Sequence, residues 1–263
     1  MKNTINILFL LLFTYSLSQK SDIYEIEYVK YFKIDENKFY ESSFNNPDRE
    51  VVERNKRNFT EEQFFVLICD EKESLFNNIA KLDNSQTEGE VFENNGNKVV
   101  YNNNSGLIFY RNLENNISMI PNDQKTMIQD SLYNFDWNLN YTDEREILGY
   151  KVKKATAKGL EDGTEITAWF TPEIKISQGP YLYWGLPGLI LEIDIDVYSD
   201  IGLAYFIDSY HFEAKKITKI NSTQILTPNT KKKNIISPEE LQQKKEVQAK
   251  KVKEYLEGGV DKD

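Results

Sequence analysis

Between Leu191 and Val197 every second residue is apolar and every intervening one is acidic. Leu191, Ile193, Ile195 and Val197, with Leu189 before them, take one side; Glu192, Asp194 and Asp196 take the other. A period of two marks a strand with one buried and one solvated face, and it excludes a helix here. The corner before this strand is also legible. Pro187 holds φ near the value of the first central turn position, and Gly188 accepts the positive φ of the second. Leu186-Pro187-Gly188-Leu189 therefore predicts a type II turn. Upstream, Ile166, Ala168 and Phe170 mark another strand, Pro172 breaks it, and Gly179-Pro180 turns the chain. Trp169, Tyr181, Tyr183 and Trp184 pair apolar bodies with polar tips, as suits the rim of a cup or the edge of a core.

The same alternation recurs along the chain. Residues 21–33 form a first strand. Residues 35–60 are polar and Asn-rich and read as a loop excursion. Gln63–Cys69 is a buried strand, and Ser74-Leu75-Phe76 opens a turn or short helix. Hairpins follow across Asn94-Asn95-Gly96, across Glu114-Asn115-Asn116, across Asp162-Gly163 and across 199–202, Asn-Gly and Asp-Gly being hairpin turn signals. Residues 217–225 add an edge strand. The expected fold is mainly β, an antiparallel meander curved into a half-barrel or bowl, since such sheets seldom stay flat and uncovered. Ser237-Pro238-Glu239-Glu240 starts a C-terminal helix, with Ser as cap and Pro at the first position. The expected division is 19–236 for the β domain and 237–263 for the helix and tail.

These blocks resemble a known family. Gly185-Leu186-Pro187-Gly188-Leu189-Ile190 is the motif that names the GLPGLI family of secreted Bacteroidetes proteins, and Ile147–Ala155, Ala168–Ile174 and Gly179-Pro180 are similar to its other blocks, in order. The resemblance spans about residues 24–240. It implies an exported β-rich domain and no particular activity. Val152 stands where the family pattern often has Cys, so any role of that Cys is absent. At fold level the family is similar to the LolA-like half-barrels of periplasmic lipoprotein carriers and to the bowl-like N-terminal domain of a bacterial peptide-N-glycosidase.

Residues 1–18 have the form of a secretory signal: Lys2, an apolar run over 5–17, and Ser16-Leu17-Ser18 as a small-x-small cleavage site. The run is too short for a membrane span. The mature chain is expected to be exported, periplasmic or secreted, with no membrane span. A net charge of −10 disfavours nucleic acid and anionic membranes as partners.

Catalytic equipment is sparse. One Cys and one His cannot build a zinc site of the usual kind. Cys69 with His211 would be a dyad, but Cys69 within Phe64-Phe65-Val66-Leu67-Ile68-Cys69 reads as a small buried hydrophobe. Glu192, Asp194 and Asp196 offer oxygens of the kind calcium takes; an outward polar strand face explains them without an ion. Glu88/Glu90 and Asp194/Asp196 are the carboxylate pairs a glycoside hydrolase would need, in a chain with 42 acidic residues. No catalytic residue, metal or cofactor is expected. The preferred reading is a non-enzymatic envelope binding or carrier domain, its concave apolar face offered to a lipid, lipoprotein or peptide, with Trp169, Tyr181, Tyr183 and Trp184 as binding residues. The alternatives are an accessory component of an outer-membrane protein complex and a carboxylate-dependent hydrolase.

Overall fold

A computed structural model of the chain describes residues 22–42, 48–78, 90–94, 97–101, 108–123, 125–159, 164–197, 206–220, 228 and 233–257. The secretory segment, Glu88, Asn95-Gly96, Asp162-Gly163, 199–202 and 221–225 lie outside the described residues.

The strands are β1 (Ile23–Ile34), β2 (Gln63–Cys69), β3 (Glu73–Asn78), β4 (Glu90–Asn94), β5 (Asn97–Tyr101), β6 (Ile108–Asn112), β7 (Ile117–Pro121), β8 (Thr126–Asp130), β9 (Asn138–Ile147), β10 (Tyr150–Lys158), β11 (Glu165–Thr171), β12 (Leu189–Asp196), β13 (Ile207–Ile220) and β14 (Asn234–Ile236). Twelve of them form one sheet in the order β14-β8-β7-β6-β3-β2-β1-β13-β12-β11-β10-β9, and β4-β5 is a separate hairpin. The sheet is mainly antiparallel and open, a curved half-barrel, but it is not one meander. Two meanders, β1 to β8 and β9 to β13, meet where β1 pairs with β13 along their lengths, from Ile23↔Ile220 to Ile34↔Ile207. Residues 217–220 are thus the end of β13 at the centre of the sheet, not an edge strand. One pairing is parallel, β14 on β8. Register shifts at Glu27/Tyr28 and Trp169/Phe170 are where extra residues help bend the sheet.

Ser74-Leu75-Phe76 lies within β3. The Asp70 carboxylate accepts the N–H groups of Lys72 (2.7 Å) and Glu73 (2.8 Å), which tightens the β2–β3 turn without a helix. Most of 35–60, read as loop, is two helices, α1 (Glu36–Ser42) and α2 (Arg49–Thr60). Asp35 Oδ1 accepts from Asn37 N at 2.9 Å and Asp48 Oδ1 from Glu50 N at 2.9 Å, so each helix starts on an aspartate cap. Phe39 and Val52 bury against Phe206 and Ile207 as a second small core. A third helix, α3 (Pro238–Glu257), follows the sheet, and Val247 and Val252 on it are more than half exposed. No helix among the described residues is long and apolar enough to cross a membrane.

Side chains alternate across the sheet. Tyr28, Lys30 and Phe32 of β1 share the concave face with Phe65 and Gln63 of β2 and with Phe212 and Tyr210 of β13. Tyr31, His211, Asp194 and Trp169 share the opposite face.

Candidate functional site

The chain between β11 and β12 crosses the concave face and half fills it. Ile190 N donates to Gln178 O at 3.0 Å, Leu189 N to Ile174 O at 3.2 Å and Gly185 N to Ser177 O at 3.1 Å, folding the segment back on the start of β12. Gly185 has φ +95, a left-handed conformation that glycine adopts freely. The Leu186–Leu189 turn differs from the expected type II. Gly188 N donates to Leu186 O at 2.8 Å, which closes a γ-turn around Pro187. Gly188 has no positive φ; it is glycine because a Cβ there would sit 2.1 Å from Thr171 O. Leu186, Leu189 and Ile190 are fully buried, and the Tyr28 hydroxyl donates to Ile190 O. The motif is therefore a core-packing corner rather than a binding surface.

Arg111 of β6 holds this segment. Its Nη1 donates to Gln178 Oε1 (3.0 Å) and Tyr183 O (3.1 Å), and its Nη2 to Tyr181 O (2.8 Å). All three acceptors are neutral, and burial lowers its pKa to about 9, so it stays charged at neutral pH. Tyr181 is in the left-handed region (φ 54), a strained conformation for a tyrosine. Its ring lies edge-on to Phe109 (4.6 Å) and stacks on Phe212 (6.1 Å) across the bowl.

What the segment leaves open is a cavity of about 590 Å³. Its walls are Phe32, Phe65, Phe109, Tyr210 and Phe212 from the sheet, Tyr181, Leu182 and Tyr183 from the crossing segment, and Ile120, Pro121, Ile195 and Val197 around them. Of the four aromatic residues singled out in the sequence, Tyr181 and Tyr183 line it. Trp169 does not: it lies on the opposite face, where the Arg145 guanidinium stacks on it at 4.1 Å. Nor does Trp184. Its indole N–H donates to Tyr133 O (2.8 Å) while Trp137 Nε1 donates to Trp184 O (2.8 Å), a reciprocal strap between two loops. The sequence reading missed Phe109 and Phe212, which alternation within their own strands could have placed, and also Lys30 and Arg111, which nothing local distinguishes from solvated cations.

Lys30 is the cation of this cavity. Its Nζ lies 4.8 Å from the Phe32 ring centroid, 5.2 Å from Tyr210 and 5.8 Å from Phe212. Burial lowers its pKa, and no carboxylate among the described residues pairs with it. Asp196 borders the cavity but shares the opposite face with Asp194; burial and then that neighbour raise its carboxyl.

Cys69 and His211 lie on opposite faces and form no dyad. Cys69 is fully buried, and that burial pushes its thiol far up, away from the reactive thiolate. His211 Nδ1 bonds Asp194 Oδ1 at 2.9 Å and its ring lies against Tyr31 at 4.7 Å. Glu192, Asp194 and His211 bring ligand atoms within 4.8 Å of one another. Cations of the chain already hold both carboxylates, Lys33 on Asp194 at 2.6 Å and Arg145 on Glu192, so a metal would have to displace them.

Two crystal forms of PNGF-II are similar to this chain. The C2 form is 18% identical with a TM-score of 0.48, over 85% of this chain and 32% of that one. The P21 form is 18% identical with a TM-score of 0.46, over 82% and 31%. The chain thus spans about a third of the length of PNGF-II. A LolA superfamily protein from Nitrosomonas europaea, NE2245, is 8% identical with a TM-score of 0.25, over 78% of this chain and 88% of that one. No curated protein matches the chain. The sequence model of a family described as protein of unknown function (Porph_ging) matches residues 157–192, from the end of β10 through the crossing segment into β12.

Proposed function

We propose that this chain is a non-enzymatic binding or carrier domain of the cell envelope that takes an apolar ligand, of lipid, lipoprotein or peptide character, into its concave face. One observation carries the reading: the crossing segment does not plug the bowl but leaves an aromatic-walled space of about 590 Å³, within the range of small-molecule sites. The separation of Cys69 from His211 and the neutralised Asp194 support a binding role over a hydrolytic one. The secretory form of residues 1–18 supports export.

Native mass spectrometry on protein purified from its host envelope tests the reading. A bound small mass, lost when Ile195→Trp fills the cavity, is expected. Bare protein that also takes up no apolar probe would sink it. A stable protein partner on a chain with an unoccupied cavity would point instead to an accessory role in an envelope complex.

A further inference from the structure

The apolar walls name half of a ligand; Lys30 names the other half. A methionine or leucine at this mid-strand position would fill the same space without the desolvation that an ammonium suffers there. The three rings offset part of that penalty through their π-faces, but they accept no hydrogen bond of ordinary strength, and the ammonium has three N–H groups to give. Gln63, its cross-strand neighbour on β2, lines the same cavity and brings an amide donor beside it. An anion entering this low-dielectric space is attracted to the ammonium more strongly than in water. Asp196 also borders the cavity, but it alternates with Ile195 and carries its carboxylate on the face of Asp194, so among the described lining residues Lys30 is the charged side chain that faces the bowl.

We propose that the occupant is a small apolar carboxylate, its head on Lys30 and Gln63 and its body along Phe109, Tyr181 and Phe212. This rests on the ligand-binding reading above and adds charge selectivity to it.

The test uses one chain length with three heads: decanoate, decanol and decyltrimethylammonium, each below its micelle concentration, titrated calorimetrically into the full chain. Wild-type protein should bind decanoate about tenfold or more tighter than decanol, with the cation weakest, a tenfold ratio corresponding to one well-placed ionic contact. Lys30→Met should erase the preference for decanoate over decanol by weakening decanoate about tenfold or more, and Lys30→Arg should restore it. A far-UV circular dichroism spectrum like that of wild type and a urea midpoint at or above it show that Lys30→Met is folded. Equal binding of decanoate and decanol by wild-type protein, or a preference for the cation, would overturn the inference and leave the apolar-ligand reading standing. Failure of all three to bind would overturn that reading itself.

Discussion

A guanidinium shut away from solvent among neutral acceptors costs free energy that an apolar side chain in its place would not. Arg111 is kept in that position by what it holds: three acceptors on a crossing segment 67 to 72 residues further along the chain. Arg111→Met should therefore lower stability in urea by about 3 kcal/mol, because the acceptors of Gln178, Tyr181 and Tyr183 are left without a donor. It should also speed hydrogen exchange across 178–185. None of this was readable locally. Arg111 stands in a short hairpin arm, where an arginine normally reads as solvated, and its partners come from another part of the chain. Alternation, by contrast, gave Asp194 its face correctly. Burial works against its charged form, but the bonds from His211 and Lys33 outweigh it and hold the carboxyl below its ordinary value. A carboxyl held down in the folded state adds stability above its unfolded pKa of about 3.9 and loses it as the pH falls through the folded one. Asp194→Asn should flatten the fall in urea midpoint between about pH 5 and pH 2; an unaltered slope would mean that the ion pair contributes nothing.

Among elements, the hairpins were the legible ones. The β6–β7, β10–β11 and β12–β13 pairings follow the sequence reading, because strand alternation and turn-type dipeptides are local signals. The helices α1 and α2 were not legible, because two buried side chains, Phe39 and Val52, are too few to set a helical period; aspartate caps and a distant apolar patch do the rest. One turn breaks the local rule. In the β9–β10 hairpin Leu148 has φ 51 and Gly149 φ 82, so both central residues are left-handed, as a type I′ turn requires. Gly149 fits, whereas Leu148 is strained and 44% exposed, burying little in return. Leu148→Asn should raise stability by about 1 kcal/mol in chemical denaturation, since asparagine tolerates this region far better.

For the molecule as a whole, alternation predicted a curved antiparallel sheet but not its order. Strand faces are local information; which meander closes on which is decided by long-range pairing of β1 with β13. That seam carries Ile26 and Tyr28, both with almost no exposure, and lies well inside the sheet, with seven strands on one side and five on the other. Amide exchange should be slowest in β1 and β13 and fastest in β9 and α3, whose side chains are largely exposed. Uniform protection across the sheet would contradict a central seam. The seam also orders events in time. A chain made from the N-terminus delivers β1 first, and the mate for its other side follows between 173 (Ile34↔Ile207) and 197 (Ile23↔Ile220) residues later. Until β13 arrives, one edge of the first strand is a bare template for any extended peptide nearby, so a chain that emerges N-terminus first depends on something shielding that edge in the interval.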